Sequence, residues 1–160
     1  MRYFSTRDKK LNFSFTEIFS RGLAPDGGLF IPSELKKYSS SELKSLQNLS
    51  YTDLATEIIS SFCSPDLDKQ KLKILISNAY NNFFTKEVVK IKKIGDIHLL
   101  ELYHGPTLAF KDIAMQVIGN LYDELNIADK KKVNIVVATS GDTGSAAISA
   151  LNEKKNINVF

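Results

Sequence analysis

One cysteine, Cys63, stands in a chain of 160 residues. No internal disulfide can form, nothing points to an oxidising compartment, and the residue reads as a small buried hydrophobe. Long apolar runs are missing too: no stretch approaches the roughly 20 residues that a membrane-spanning helix needs. The opening MRYFSTRDKK lacks the apolar core of a signal peptide. Charge of one sign is also scarce, since 21 basic and 18 acidic residues leave a net +3. The longest basic run, Lys130 to Lys132, reads as solvated loop and not as a nucleic-acid footprint. There is no internal repeat and no low-complexity linker. These absences exclude membrane spans, disulfide scaffolds and nucleic-acid binders, and they leave a soluble, cytoplasmic protein as the expectation. With 43% hydrophobic residues the chain can fill a core of its own.

What is present changes character along the chain. Ser14-Phe15-Thr16-Glu17 has capping-box spacing and predicts a short helix that ends near Gly22. Pro25-Asp26-Gly27-Gly28 then signals a turn before an apolar stub closed by Pro32. From Ser39 to Phe84, Leu43, Leu46, Leu49, Leu54, Ile58, Phe62, Leu72, Leu75, Ile76 and Ala79 recur at helical spacing, so two or three amphipathic helices are expected. Ser64-Pro65-Asp66 separates two of them, because proline disfavours helix in the residue before it.

The second half reads as alternating strand and helix. Ile97 to Tyr103 is a strand candidate; Asp112 to Leu125 carries Ile113, Val117, Leu121 and Leu125 on one helical face. Val133 to Ala138 resembles a buried parallel strand, and Ala146, Ala147, Ala150 and Leu151 suit a helix packed close to a sheet. NINVF opens another strand. The expected fold is therefore α/β, a small helical domain over residues 1–90 and the beginning of a parallel sheet with right-handed crossovers over residues 91–160. Such a sheet leaves apolar surface that a missing C-terminal part or a partner has to cover.

Two loops carry the chemistry, and in an open α/β sheet both leave the strand ends where ligands bind. In the first, Lys111 follows six residues without formal charge, Gly105 to Phe110, and sits at the start of a helix. The helix dipole and partial burial would disfavour its ammonium form, which a nucleophilic or proton-transferring lysine needs. An ordinary lysine near a helix start fits the same spacing. In the second, Ser140-Gly141-Asp142-Thr143-Gly144 joins a strand to a helix, so its amides suit an anion. It has neither the GxGxxG nor the GxxxxGK[ST] pattern, which disfavours a nucleotide. A tight turn with Asp or Thr as helix cap explains it equally.

HGPTLAFKD, from His104 to Asp112, and ATSGDTGSAA, from Ala138 to Ala147, together resemble threonine synthase, a fold-type II enzyme that uses pyridoxal 5′-phosphate (PLP). Ser5-Thr6-Arg7 and the run from Gly22 to Pro32 resemble the opening region of that family. The resemblance implies that Lys111 forms a Schiff base with PLP and then moves protons. It implies O-phosphohomoserine as substrate, with phosphate eliminated and water added to give threonine. Ser140, Gly141, Thr143 and Gly144 are then substrate-binding, and Asp142 lies beside the cofactor in an orienting or capping role; no metal is implied. His104 fits a phosphate contact or a turn histidine satisfied by backbone groups, while Arg7 and the Asp26-Gly27-Gly28 turn match family positions without an assigned role. The glycine-rich loop that holds the PLP phosphate belongs to the family's C-terminal part. Two rivals stand beside this reading: a related dehydratase or β-replacement enzyme, and a non-catalytic remnant or interaction module.

Overall fold

Ser14 starts the first helix as its spacing dictates. Its Oγ accepts from the Glu17 amide at 3.3 Å, and the Glu17 carboxylate accepts from the Ser14 amide at 2.7 Å. Two otherwise orphaned donors are satisfied, and α1 (Phe15–Arg21) closes on Gly22. The computed structural model describes residues 1–129, 132–152 and 154–160, with backbone alone over 126–129. Lys130 and Lys131 of the basic run, and Glu153 in the stretch read as the end of a helix, lie outside the described residues. The chain packs as two compact units, Met1–Ile74 and Leu75–Phe160.

In the first unit β1 (Tyr3–Ser5) pairs antiparallel with β2 (Phe30–Pro32), and Phe13 bridges back to Tyr3. Tyr3, Phe13, Phe15, Ala24, Cys63, Leu67 and Leu72 form its core. Phe13 meets Phe30 edge-on at 5.1 Å, a favoured aromatic geometry. Two more helices follow, α2 (Ser40–Leu46), with a second capping box from Ser39 and Glu42, and α3 (Tyr51–Cys63), capped by Ser50. Although α2 has the expected spacing, it buries no residue, and Leu43 is 52% exposed. Ser64-Pro65-Asp66 does interrupt the helices, and Asp68 then accepts from the amides of Gln70 and Lys71 to start α4 (Lys69–Tyr80). The division between the units falls within α4.

The second unit corrects one strand assignment. Ile97–Glu101 is β4, but it pairs antiparallel with β3 (Lys90–Ile94), a strand hidden in the sequence by its lysines, and it is no neighbour of the later strands. Gly95, with φ of 60°, and Asp96 make the two-residue turn, whose first central position needs a glycine's backbone freedom. A local hairpin costs little loop entropy, which favours this pairing over a distant one. After it come α5 (Asp112–Asp129), β5 (Val133–Ile135), α6 (Asp142–Leu151) and β6 (Ile157–Val159). β5 and β6 are parallel, joined through α6, so the crossover is present with two strands and not three. Ala147, Ala150, Leu151 and Ile157 form the core, with Met115, Tyr122, Ile135, Val137 and Val159 packed against it. The apolar run from Val133 is strand only to Ile135, and Val136 is exposed.

Candidate functional site

Lys111 is held by the turn before it. Asp112, fully buried, accepts from the backbone amide of Thr107 at 2.8 Å and from its hydroxyl at 2.7 Å. Gly105 lies so close to Asp112 that a Cβ there would sit 2.4 Å from the aspartate Cβ. Leu108 adopts φ of 62°, a conformation a branched side chain takes only when its surroundings impose it. Further upstream the carbonyl of His104 accepts from the amide of Phe84 at 2.8 Å. Asp112 therefore ties the turn back onto the helix start, which spacing alone could not show. Lys111, half-buried, immediately precedes α5, with its carbonyl accepting from Met115 N–H at 2.9 Å. Its Nζ lies 4.5 Å from the centre of the Phe110 ring, in cation–π range.

His104 lies beside an acidic side chain. Its Nε2 lies 3.3 Å from the Glu101 carboxylate, out of line for a hydrogen bond, and its ring stacks on Tyr103 with centroids 4.7 Å apart. The Nε2 side of the ring thus faces a side-chain carboxylate. Glu101 itself pairs with Lys92, and that ammonium, followed by the hydroxyl of Tyr103, draws its carboxyl below the usual range.

The second loop opens onto α6. Gly141 occupies the N-cap without any side-chain hydrogen bond, and Ser145 N–H returns to the Gly141 carbonyl at 3.1 Å. Neither Asp142 nor Thr143 is the N-cap: Gly141 holds that position, and Asp142 is the first helical residue and exposed. The Gly141 amide donates to Thr139 Oγ1 at 3.4 Å, while the N-cap itself offers no side-chain acceptor to the amides of the first turn that follow, as suits an anion site. Gly144 is buried against Thr139, where a Cβ would meet the threonine methyl at 2.4 Å.

The two loops are related through their helices. Gln116 donates to Ser149, Gly119 abuts Ala150, and Lys154 donates to Asn120. These contacts run in the same order along both segments, so α5 and α6 lie with their N-termini toward the same end of the unit. Ser140 to Gly144 and Lys111 both belong to that end. An open cleft of about 570 Å³ between α3 and the start of α4 in the first unit is lined instead by ion-paired Asp53, Glu57, Lys69 and Lys73.

Comparison with known proteins identifies the family. A family model described as "Threonine synthase N terminus" matches residues 2–80. The chain is 39% identical to threonine synthase of Schizosaccharomyces pombe over 99% of its own length and 33% of that protein's, and 42% identical to threonine synthase of Saccharomyces cerevisiae over 99% and 34%. A crystal structure of PLP-bound threonine synthase from Brucella melitensis superposes with a TM-score of 0.95 at 34% identity, covering all of this chain and 35% of that one. The fold defines the class: a mixed helix-and-strand chain that matches the N-terminal third of solved threonine synthase structures. The chain belongs to the threonine synthase family as an N-terminal portion, and it spans about a third of the length of the curated relatives it matches.

Proposed function

We propose that this chain is the N-terminal portion of a fold-type II threonine synthase that converts O-phosphohomoserine and water into threonine and phosphate. The observation that carries the reading is the turn built around Asp112, which fixes the half-buried Lys111 at the start of α5. Lys111 supplies the amine that attaches PLP and afterwards takes and returns protons at the substrate carbon chain. Bound PLP supplies an electron sink for that chemistry. The residues present suit this group: an amine at one helix start and uncapped amides at the neighbouring one. Ser140, Gly141, Thr143 and Gly144 orient the substrate carboxylate through those amides, and Asp142 stands beside the cofactor as an orienting group kept off the substrate carboxylate by like charge.

We draw the domains at the change from helices to strands, with residues 1–90 as the N-terminal domain and residues 91–160 as the beginning of the PLP-binding domain. The C-terminal two thirds typical of the family supplies the phosphate cradle and the second wall of the crevice. The compartment proposed is the cytoplasm; among the described residues no helix is long and apolar enough to cross a membrane.

Borohydride reduction of the PLP-loaded protein carrying that C-terminal part, followed by peptide mapping, tests the assignment. The label is expected on Lys111, and a label on any other lysine overturns it. The 160-residue chain by itself is expected to release no phosphate from O-phosphohomoserine. Turnover by the chain alone would show that its site is complete, while failure of the extended protein to turn over would favour the non-catalytic reading.

A further inference from the structure

Arg7 and the Asp26-Gly27-Gly28 turn remain without a task in the site described above, yet they are held with unusual care. The buried Ser5 Oγ donates to Asp26 Oδ1 at 2.7 Å and accepts from the Arg7 amide at 3.1 Å. Asp26 Oδ1 also accepts from Gly28 N–H at 2.9 Å, so this carboxylate is turned into the turn. The Asp26 backbone carbonyl faces outward and accepts from Arg7 Nη1 at 2.8 Å. Gly27, with φ of 75°, leaves space for the guanidinium: a Cβ there would lie 2.9 Å from Nη1. On the adjacent glycine, a Cβ at Gly28 would lie 3.0 Å from Thr6 Oγ1, which accepts from Leu29 N–H at 2.9 Å.

Two exposed side chains thus rest on one glycine floor with donors to spare. Arg7 spends only Nη1, and among the described residues its Nε and Nη2 have no acceptor; the hydroxyl hydrogen of Thr6 has none either. The other arginines of this unit are placed differently. Arg2 is committed through Nε and Nη2 to Asn12, and Arg21 lies over the Phe13 ring at 6.0 Å. A guanidinium fixed by its own turn retains a planar fork for two oxygens of one anion, and Thr6 adds a third donor beside it.

We propose that Thr6 and Arg7, seated on the Asp26–Gly28 turn, form an oxyanion subsite for a phosphate group. The proposal goes beyond the function given above: it concerns a phosphate group bound on the first unit alone. Binding of the ion itself does not depend on that function.

The test is a titration of the 160-residue chain with inorganic phosphate at constant ionic strength, following arginine Nε–H and backbone amide resonances. A saturable shift at Arg7 and Thr6 is expected, with Arg2 and Arg21 unmoved. Acetate at equal concentration is expected to bind more weakly. Arg7→Lys should bind about tenfold more weakly, as loss of a charged bidentate contact implies, and Thr6→Val should weaken binding while leaving the Gly28 amide in place. A shift at Arg7 that grows without saturating, an equal shift at Arg21, equal binding of acetate, or undiminished binding by Arg7→Lys with a native Gly28 amide would each overturn the subsite. None of these outcomes alters where borohydride places the label, so the two readings fail separately.

Discussion

Replacing Gly119 by alanine sets helix propensity against packing in one experiment. Propensity alone favours the change by about 0.8–1 kcal/mol, because alanine loses less backbone entropy in a helix. The geometry opposes it. A Cβ at Gly119 would lie 2.5 Å from the Ala150 carbonyl oxygen and 3.3 Å from the Ala150 Cβ. To reach an ordinary contact, α5 and α6 must part by roughly 0.5–1 Å, a gap at which contacting atoms lose about a quarter to a half of their attraction. Ala146, Ala147 and Ala150 are all buried at this side of α6, so the loss falls along a whole stripe. Overpacking typically costs about 1–3 kcal/mol, and an obstacle made of backbone belongs near the top of that range. The expected net destabilisation is about 1–2 kcal/mol. Native-state hydrogen exchange of α6 and β6 amides measures it within the second unit, without assuming that both units unfold together. Ala150→Gly serves as the control: it removes the Cβ but not the carbonyl, so it should not rescue Gly119→Ala. Stabilisation by about 1 kcal/mol, or full rescue by Ala150→Gly, would refute the close-approach argument.

Asp112→Asn keeps the shape of the side chain but sets an amide against two donors of Thr107, and it should cost about 2–3 kcal/mol. Unchanged protection of the Thr107 amide would show that the turn does not depend on the carboxylate. Burial first, and then the Asp66 charge, push the Cys63 thiol up to about 12. The unfolded thiol ionises near pH ~8.5 while the folded one stays protonated. Its contribution is therefore complete below pH ~8.5 and is lost as pH rises toward 12, by about 1.4 kcal/mol per pH unit. Urea midpoints measured between pH 8 and pH 10 should fall in the native chain and fall less in Cys63→Ala; parallel curves would count against the assignment.

Local rules carried the sequence reading furthest where one residue acts on a near neighbour. The Ser14–Glu17 box, the stop at Gly22 and the break at Ser64-Pro65 all arise within four residues, and each is present in the structure. β3 escaped because Lys90, Lys92 and Lys93 mask the strand signal of Ile91 and Ile94, and without it β4 had no visible partner. Burial was less legible than spacing: Leu43 has helical periodicity yet stays exposed. At the candidate site, the position of Lys111 at a helix start could be read from the chain, whereas the grip of Asp112 on Thr107 depends on Leu108 adopting positive φ, which no propensity signals. The bare N-cap at Gly141 was hidden for the opposite reason, since Asp142 and Thr143 both look like caps in sequence.

The β3–β4 hairpin has a colloidal consequence. Its register puts Ile91 and Leu100 on one face and Leu99, Ile94 and Ile97 on the other, all of them exposed, so an extended ribbon offers both faces and both edges for stacking. Lys93 shares the first face and Lys90 the second, while Lys92 is occupied with Glu101. One lysine per face therefore acts as a gatekeeper against self-pairing of chains that carry a net charge of only +3. Its range is about one Debye length, roughly 10 Å at 0.1 M salt and about 3 Å at 1 M. The chain should accordingly be most soluble at low ionic strength and associate as salt is added, and Lys93→Gln should move that onset to lower salt.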